Sequence, residues 1–486
     1  MKTLKQLFPE QNLTTESESI QIRDVSINSK ECQEGSLFVC IPGVKADRHA
    51  FIEDAIAHGA KAVIVSKDVP PTSVPLIKVS DTRKELERVC AVLYDQPQKE
   101  LKVIGITGTD GKTSTATLVQ KMLGIDKCGY IGTNGYSCMG FHDKTANTTP
   151  EINLLYYLLR EFSNRDCEYV AMECSSEAFY RERLRTMSFD VSLYTNITSE
   201  HLNTHGTWEN YLACKLKLFK QTKTDGFCLI NLDDPHHQAF AQVAQGQVLS
   251  YGKDKQADLV IENYKLYPDH TDVEFSYKRE TYRATSPLLG EYNVYNLASA
   301  LLICICLGKQ IKECLANLAG IKISGRMEII KNNLGIHALV DYAHTPNGIR
   351  QLLTFIDQFE LGRKIIVTAQ PGERDTCNLP EIGEVLSAHA DHIILTTEDP
   401  RTEDPAEICA KIASGFADTF TDYEIILDRA EAIKRAVALA HRGDIVMALG
   451  RGSDTTLKYK DRIVELCDIT ELDKALKERE KQESSL

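Results

Sequence analysis

The chain has 486 residues, a length that predicts about three domains, and 43% of its residues are hydrophobic, enough for ordinary packed cores. Its formal net charge of -13 argues against nucleic acid or an anionic membrane as the main partner, and no apolar run approaches the roughly 18 residues of a membrane span. Its 15 cysteines form no C-x-x-C pair and its first residues lack a signal-peptide pattern, so we expect free thiols and a cytoplasmic location.

The first unit, residues 1–100, is predicted to be a small α/β domain. A strand is expected at 35–41, a helix at 51–58 and a second strand at 62–65. Gly59 follows the predicted helix, and glycine is frequent just past the end of a helix. Alternation of strand and helix is typical of an α/β fold.

The second unit, residues 101–325, begins with a short apolar strand at 103–106, a glycine-rich turn and a helix at 113–123. Further elements of this unit are expected as strands at 169–172, 191–194 and 228–230 and as a helix at 295–307. Short apolar runs between helices indicate a parallel sheet. The unit is therefore predicted to be a central parallel sheet of the P-loop ATPase type.

The third unit, residues 326–486, repeats strand and helix again and is predicted to be Rossmann-like, so the whole chain is expected to be α/β with three domains. Its expected strands lie at 338–340, 364–367, 392–395, 424–427 and 444–447. Ligands of such sheets bind outside the carboxyl ends of the strands, where polar clusters follow several of these runs. The Lys- and Glu-rich end, 472–486, is expected to be a solvated helix with a frayed tail.

The turn between the strand 103–106 and the next helix predicts a phosphate-binding loop. Its residues are Gly108, Thr109, Asp110, Gly111, Lys112, Thr113 and Ser114. A glycine-rich turn that leads into a helix directs backbone N–H groups at an anion. Lys112 would then reach the β- and γ-phosphates of ATP, and the Thr113 hydroxyl would bind Mg²⁺. The loop is shorter than a full Walker A motif, whose first glycine would fall on Ile106, so chance glycines at a helix start are the alternative.

Three residues further along the chain have side chains suited to metal chemistry: Glu173, His201 and Lys215. Glu173 follows a predicted strand, and a carboxylate at a strand end is well placed for Mg²⁺, which prefers oxygen ligands. Considered singly, His201 is more simply a structural histidine and Lys215 a solvated helix residue. Their order and spacing carry more information than any one of them.

Several strings resemble those of the Mur ligase family. Residues 105–113 resemble its ATP loop, which folylpolyglutamate synthases share, with Asp110 where the family usually has Asn. Residues 196–203, 205–207 and 214–219 resemble its strings N-x-x-x-D-H-L-D, H-G-T and A-K-x-x-L-F. The resemblance implies ATP and two Mg²⁺ ions as cofactors. It also implies that Lys215 is carbamylated and holds the second ion with Glu173 and His201.

The same resemblance extends to the remaining contacts of ATP. The string G-x-x-N-x-x-N recurs with Asn293 and Asn296, which would contact adenine, because an amide both donates and accepts hydrogen bonds. The string G-R-M-E recurs around Arg326, which would meet a phosphate. The string D-Y-A-H-T-P begins at Asp341, which would lie near the ribose.

The acceptor implied by the resemblance is UDP-MurNAc-L-Ala-D-Glu. Its site residues would be Asn147, Thr148 and Thr149 of an N-T-T-P loop, Ser176 and Arg183, with Ser29 and Lys30 at the UDP end. Lys30 stands where the family has Arg, so it keeps the charge but not the planar fork. These strings are closest to the branch of the family that adds the third amino acid of the peptidoglycan precursor, a diamino acid.

The incoming amino acid is implied to meet a second group of residues, which are Arg374, Asp399, Arg401, Gly450 and Asp454. Arg374 would hold the α-carboxylate, and Arg401 suits the distal carboxylate of meso-diaminopimelate. Asp399 replaces an Asn of the family and would instead attract an ammonium, which favours lysine or ornithine. A pair of Asp399 with Arg401 is the third possibility, and meso-diaminopimelate is slightly favoured. Asn378 and Ser453 also depart from the family's strings.

The sequence therefore predicts an ATP-dependent ligase, acting as a monomer, that forms an acyl phosphate before an amine displaces the phosphate. Another Mur ligase or a folylpolyglutamate-type ligase is the nearest alternative. A protein that hydrolyses ATP as a switch belongs to another class, against which the cluster of Glu173, His201 and Lys215 argues. A degenerate homologue is the remaining alternative, given the departures from the family's strings.

Overall fold

Three large sheets organise the part of the chain that the computed structural model describes. The described residues are 1–43, 47–198, 200, 202–318, 320–373 and 378–484. These sheets have four, 11 and six strands and follow one another along the chain. The predicted α/β class is confirmed. Among the described residues, no helix combines the length and the apolar character that crossing a bilayer requires.

The first sheet is parallel throughout. Its strands in spatial order are Asp24–Ser26, Ser36–Val39, Ala60–Val65 and Leu76–Lys78. The other elements of this unit are the paired strands Lys2–Thr3 and Gln21–Ile22, the helices Leu4–Leu7, Thr15–Glu18, Ile52–Ala57 and Thr82–Leu93, and the 3₁₀ turns Ser29–Glu31, Arg48–Phe51 and Pro97–Lys99. Every residue of Ser36–Val39 is buried, which explains the apolar run Leu37, Phe38 and Val39.

The central sheet is parallel in its middle and antiparallel at both ends. Its spatial order is Phe141–Asp143, Gly135–Cys138, Cys128–Gly132, Tyr169–Glu173, Lys102–Thr107, Phe189–Tyr194, Thr222–Asn231, Gln247–Gly252, Leu259–Leu266, Thr271–Tyr277 and Glu280–Ser286. The first two and the last two pairings are antiparallel, and those between them are parallel. The sequence does not predict the antiparallel ends, because their strands alternate polar and apolar residues and lack a continuous apolar run.

The helices of the central unit are Lys112–Leu123, Ile152–Ser163, Ser176–Tyr180, Leu202–His205, Trp208–Lys220, His237–Val243, Glu291–Cys306 and Ile311–Ala316. Apolar residues of Glu291–Cys306 pack in one cluster with those of Lys112–Leu123. Because protein interiors are close-packed, this contact fixes the helix that follows the phosphate loop.

The third sheet carries one antiparallel edge strand on a parallel core. Its spatial order is Glu328–Ile329, His337–Asp341, Ile445–Leu449, Lys364–Thr368, His392–Leu395 and Tyr423–Ile425. Its helices are Pro346–Ile356, Leu379–His389, Pro405–Ala413, Arg429–Leu439 and Asp468–Glu483, and a hairpin pairs Thr456–Lys458 with Ile463–Glu465.

Two expectations for the third unit are wrong. The strand expected at 424–427 ends at Ile425, and Leu427 lies beyond it, 40% exposed. The last helix is not simply solvated, since Leu472 and Leu476 are buried in a cluster with residues of Arg429–Leu439. Apolar residues at helical spacing therefore dock this helix despite the charged residues around them.

Candidate active site

The phosphate loop connects the central strand Lys102–Thr107 to the helix that follows it. Gly111 caps that helix with a φ of 84°, in the left-handed region that favours glycine. An added Cβ would lie 1.8 Å from the Thr195 hydroxyl at Gly108 and 2.4 Å from the Asn296 amide oxygen at Gly111. Both positions require glycine because neighbouring side chains approach the backbone so closely.

Lys112 folds back over the loop. Its ammonium donates hydrogen bonds to the carbonyl oxygens of Gly108 at 2.9 Å and Thr109 at 2.8 Å. The backbone of the loop is held in turn by Asn196, whose amide oxygen accepts from the Asp110 N–H at 3.0 Å. The predicted phosphate-binding lysine thus lies directly against the turn whose N–H groups would receive an anion.

Glu173 ends the neighbouring strand and is completely buried. One carboxylate oxygen accepts from the Tyr130 hydroxyl at 2.8 Å and the Thr133 N–H at 2.9 Å, and the other accepts from the Thr113 hydroxyl at 2.9 Å. Burial, together with the charge of Glu173, raises the pKa of Tyr130 well above its usual range, so the phenol stays a donor. The oxygens of Glu173 and Thr113 form a pair that fits a hard cation such as Mg²⁺. No group of three or more His, Cys, Asp or Glu side chains suited to a metal occurs within the described residues.

Lys215 lies on the helix Trp208–Lys220 with its side chain almost completely buried. Its Nζ atom donates to the carbonyl oxygen of Gly108 at 2.6 Å and lies 4.6 Å from the centre of the Tyr211 ring. The alternative of a solvated helix residue is therefore wrong. The helix brings this lysine to the phosphate loop, as its predicted role requires.

The surroundings of Lys215 favour its neutral form. Burial, reinforced by the positive charge of Lys112, holds the pKa of Lys215 well below its usual range, against the opposing charges of Glu200 and Asp110. An unprotonated amine is the nucleophilic form that adds carbon dioxide, so the residue fits the predicted carbamate. His201, the other residue predicted for this cluster, lies outside the described residues.

A cavity of about 560 Å³ opens beside the loop, between the central and third sheets. The predicted ATP-binding residues that line it are Asp110, Gly111, Ser114, Asn296, Arg326 and Asp341. Tyr292 and Tyr295 add aromatic surface. A cavity of this volume with a few convergent polar groups is typical of a small-molecule site.

Asn293 supports this cavity rather than lining it. Its side chain donates to the carbonyl oxygen of Leu289 at 2.7 Å and accepts from the amide of Asn296 at 3.0 Å. Asp341 lines the cavity, yet its two carboxylate oxygens accept from the N–H groups of Met327 and Ala343, each at 2.7 Å. Both residues therefore hold neighbouring backbone or side chains in place at the edge of the cavity.

Glu200 approaches His344, which lines the cavity, and the sequence does not indicate this contact. The Nε2 atom of His344 lies 3.6 Å from a carboxylate oxygen of Glu200. Burial alone would lower the pKa of His344, but the close approach and negative charge of Glu200 outweigh burial, so this pKa is raised. Burial, and next the charge of Glu200, raise the pKa of Asp110 in the loop. The only signal in the sequence for His344 as a site residue is its position in the D-Y-A-H-T-P string.

The predicted acceptor residues Thr148, Thr149 and Arg183 lie beside Glu173. The Thr149 hydroxyl donates to the backbone carbonyl of Glu173 at 2.8 Å, and Arg183 donates to the backbone carbonyl of Thr149 at 3.2 Å. The hydroxyls of Thr148 and Thr133 lie 3.1 Å apart, and Thr133 in turn donates to Glu173 at 3.3 Å. The N-T-T-P loop is therefore joined to the predicted metal ligand by direct hydrogen bonds.

Two further acceptor residues adjoin this group. Ser176 is buried, and its hydroxyl lies 3.0 Å from the Nε2 atom of His205. Burial, and then the charge of Lys215, lower the pKa of His205. Asn147 is half-buried, and its backbone carbonyl accepts from the Thr145 hydroxyl at 2.9 Å.

Ser29 and Lys30, predicted for the UDP end, belong to the first sheet's unit. They begin the short turn Ser29–Glu31, which Asn28 caps by accepting from the Lys30 N–H at 3.2 Å. Ser29 is buried and Lys30 is exposed. In the described part of the chain neither side chain hydrogen-bonds to the other predicted acceptor residues, and their place in the UDP site stays a prediction.

Asp399 and Arg401 lie in a strained loop of the third unit. Their φ angles are 25° and 55°, values that side chains other than glycine rarely adopt and that are frequent at ligand sites. Asp399 accepts from the Lys458 N–H at 2.9 Å and from the Arg451 guanidinium at 3.3 Å. The possibility that Asp399 pairs with Arg401 is therefore wrong.

Gly450 and Asp454 follow the strand Ile445–Leu449. Gly450 has a φ of 105°, and an added Cβ would lie 2.7 Å from a carboxylate oxygen of Glu398. Burial raises the pKa of Glu398 to about 7, and this same oxygen has no hydrogen-bond partner in the described part of the chain. Burial also raises the pKa of Asp454, against the charge of nearby arginine and lysine side chains. Arg374 lies outside the described residues.

The other departures from the family's strings have distinct settings. Ser453 donates to the amide oxygen of Asn134 at 3.0 Å, which joins the third unit to the central one. Asn378 precedes the helix Leu379–His389 without a side-chain cap. Nothing in the structure explains why Asn stands at this position.

Comparisons with known proteins agree with this geometry. Three family models match the chain: "Mur ligase family, catalytic domain" at residues 21–94, "Mur ligase middle domain" at 106–304 and "Mur ligase, glutamate ligase domain" at 325–452. A UDP-N-acetylmuramoyl-L-alanyl-D-glutamate–2,6-diaminopimelate ligase of Clostridium botulinum is 34% identical over 471 residues, covering 94% of this chain and 96% of that protein. A protein of the same name from Clostridioides difficile is 35% identical, covering 90% of this chain and 91% of its own.

Solved structures show the same architecture. A UDP-N-acetylmuramoyl-L-alanyl-D-glutamate–2,6-diaminopimelate ligase superposes with a TM-score of 0.66 at 26% identity, covering 99% of this chain and 100% of its own. The MurF ligase of Thermotoga maritima, solved in complex with ADP, superposes with a TM-score of 0.69 at 20% identity, covering 94% and 98%, and shows the fold alone. The predicted resemblance is confirmed along nearly the whole chain, and this protein belongs to the Mur ligase family.

Proposed function

We propose that this ATP-dependent ligase joins the amine of 2,6-diaminopimelate, in its meso form, to the D-Glu carboxylate of UDP-MurNAc-L-Ala-D-Glu. The observation that carries the proposal is the grouping of the phosphate loop with Glu173 and Lys215. The Thr113 hydroxyl lies 2.9 Å from a carboxylate oxygen of Glu173, and the Nζ atom of Lys215 lies 2.6 Å from the carbonyl oxygen of Gly108. The names of relatives at 34% and 35% identity support this choice of substrates. The product is a tripeptide precursor of peptidoglycan, the reaction of the MurE branch.

The reaction proceeds in two steps. An oxygen of the D-Glu carboxylate first bonds to the γ-phosphorus of ATP while the bond from that phosphorus to the departing ADP oxygen breaks, which leaves an acyl phosphate. The amine then bonds to the acyl carbon, phosphate leaves with the electron pair of the broken C–O bond, and the nitrogen loses a proton. Lys112 and the N–H groups of the loop stabilise the charge on the transferred phosphoryl group. Fixed positions of the reactants contribute the rest of the rate.

Thr113 and Glu173 are the residues that would hold Mg²⁺ beside the loop, with Tyr130 and Thr133 orienting the carboxylate. When bound, Mg²⁺ neutralises negative charge between ATP and the acceptor carboxylate. We also propose that the neutral amine of Lys215 bonds to the carbon of carbon dioxide and loses one proton. The resulting carbamate would be a second anionic ligand next to the loop.

A ligation assay tests the central proposal. The protein is incubated with ATP, Mg²⁺ and UDP-MurNAc-L-Ala-D-Glu together with diaminopimelate, lysine or ornithine, and tripeptide and ADP are measured. We expect the highest kcat/KM with diaminopimelate. Lys112→Ala should lower kcat by about a hundredfold or more, because the transferred phosphoryl group loses the positive charge that the loop lysine provides. Lys121→Ala, in the last turn of the same helix, is the matched control and should retain activity.

The carbamate has its own test. Isotopically labelled bicarbonate should give a carbamate signal in the wild-type protein that Lys215→Arg lacks, because a guanidinium keeps its proton. Lys217→Arg, two residues along the same helix and exposed, should keep the signal. A signal of equal strength in the wild type and the Lys215→Arg variant would show that the modification lies elsewhere.

The alternatives make different predictions in the same assay. Ligation of a substrate other than UDP-MurNAc-L-Ala-D-Glu would favour another Mur ligase or a folylpolyglutamate-type enzyme. ATP hydrolysis that does not depend on an added amino acid would favour a switch.

We also propose units at 1–100, 101–325 and 326–486 for the UDP end, ATP and the amino acid, supported by the matched ranges of the three family models. A monomeric state stays a prediction that size-exclusion chromatography with light scattering would check.

A further inference from the structure

Arg451 is one of the most deeply buried charged residues of the third unit, with a side chain 1% exposed. One of its nitrogens lies 3.3 Å from a carboxylate oxygen of Asp399. A second nitrogen donates to the backbone carbonyl of Thr456 at 2.7 Å, which fixes the direction of the guanidinium. Arg451 therefore reaches from the loop after Gly450 to the loop that contains Asp399.

Asp399 is held on the side that faces Arg451. The oxygen that meets Arg451 also accepts from the Lys458 N–H at 2.9 Å. The Asp399 side chain is only 17% exposed, so water weakly screens its attraction to Arg451. The carboxylate consequently presents much less negative charge to the neighbouring pocket than an isolated aspartate would.

Asp468, a second acidic neighbour of Arg451, is paired with a different arginine. Asp468 lies 3.8 Å from Arg451, but it accepts two shorter hydrogen bonds, at 2.7 Å and 2.6 Å, from Arg429. The side chains of Arg429 and Asp468 are both completely buried. Asp468 thus pairs with Arg429. The charge of Arg451 also acts on Glu398 and Asp454, but among the described residues Asp399 is the carboxylate to which Arg451 donates a hydrogen bond.

Arg401, two residues beyond Asp399, is placed differently. Its backbone N–H donates to the carbonyl oxygen of Lys458 at 3.1 Å, which fixes the loop. No hydrogen bond or ion pair engages its guanidinium among the residues that the structure describes. This guanidinium is available to a carboxylate of the bound amino acid.

We propose that Arg451 determines which amino acid is accepted, because it neutralises Asp399 and so allows Arg401 to bind an amino acid with a second, distal carboxylate. The inference rests on the proposed function and adds a positioning residue to it. Without the positive charge of Arg451, Asp399 would repel the distal carboxylate of diaminopimelate and attract the distal ammonium of lysine.

The experiment compares kcat/KM for diaminopimelate and for lysine in four proteins. These are the wild type, Arg451→Gln, Asp399→Asn and the double variant. Arg451→Gln should lower the diaminopimelate-to-lysine ratio of kcat/KM by about tenfold or more. One charge that lacks a neutralising partner, at short range, has an effect of that order. Asp399→Asn alone should leave the ratio unchanged or higher. The double variant should return the ratio to within about threefold of the wild type, because the repelling charge is gone.

A second variant keeps the test decisive if Arg451→Gln does not fold. Arg451→His carries a positive charge only below a pH of about 6.5, so its ratio should fall as pH rises from 5.5 to 8. Glu398, whose pKa burial raises to about 7, and Asp454, whose pKa burial also raises, lie near Arg451, so the wild type is measured over the same range and only the additional slope of Arg451→His is assigned to position 451. Diaminopimelate and lysine do not change charge there, so a purely structural role of Arg451 predicts the same slope in both proteins.

The outcomes separate the inference from the proposed function. A wild-type protein that ligates neither amino acid contradicts the proposed function itself. Equal losses with both amino acids in Arg451→Gln, without rescue by Asp399→Asn, overturn the role of Arg451 and leave the ligase intact. A wild type that prefers lysine also overturns it, because Asp399 would then act as an unneutralised charge.

Discussion

Glu398 provides the sharpest physical test of the third unit. It is 8% exposed, one of its oxygens lacks a partner among the described residues, and burial raises its pKa from 4.5 to about 7 against the charges of Arg429 and Arg451. The folded state thus binds this proton more tightly than the unfolded chain. The contribution of Glu398 to stability is complete below about pH 4.5 and is lost as pH rises through about 7.

The pKa of Glu398 thus differs by about 2.5 units between the unfolded and the folded state. This difference corresponds to about 3 kcal/mol, at about 1.4 kcal/mol per unit. Glu398→Gln does not titrate and keeps nearly the same shape. Relative to the wild type, its free energy of unfolding should therefore increase by about 3 kcal/mol between pH 4.5 and 8. In a unit of about 160 residues this corresponds to a shift in Tm of about 6 to 12 °C.

Differential scanning calorimetry at pH 5 and pH 8 measures the effect. Several units unfold in one chain, so the transition that responds to Glu398→Gln is followed rather than a single global Tm. Glu407→Gln, a change at an exposed carboxylate of the same unit, is the control and should show no pH-dependent difference. If the Tm difference between wild type and Glu398→Gln were the same at both pH values, the buried-carboxylate reasoning would be refuted.

Three further changes test the site. Ser453→Ala removes the 3.0 Å hydrogen bond to Asn134, so KM should rise by about fivefold, an effect of about 1 kcal/mol, with kcat less affected in steady-state assays. Tyr130→Phe removes one of the donors to Glu173 and should raise the Mg²⁺ concentration for half-maximal activity, which a titration measures; an unchanged value would contradict the orienting role. Gly111→Ala places a methyl group 2.4 Å from an amide oxygen at a φ of 84°, so ATP-induced stabilisation in thermal shift assays should disappear.

The sequence by itself determined the features that depend on neighbours along the chain. The order of strand, glycine-rich turn and helix is enough to predict the loop from Gly108 to Ser114, because each residue acts through its own backbone conformation or the next turn. Continuous apolar runs likewise predict the parallel strands of the third sheet, since strands covered on both faces bury every side chain. The metal-site residues Glu173 and Lys215 could be named, but only through the family's strings.

Only the tertiary structure decided how charges are shared between distant segments. Asp399 and Arg451 are 52 positions apart, and their contact depends on loops whose left-handed residues the sequence does not mark. The raised pKa of Glu398 likewise depends on burial created by other elements packed around it. From the sequence alone, Asp399 is a charge that would repel the distal carboxylate of diaminopimelate, so the choice of amino acid stays open. The fold places Arg451 beside Asp399. Electrostatic energy depends on distance and burial in space, and neither quantity can be read from separation along the chain.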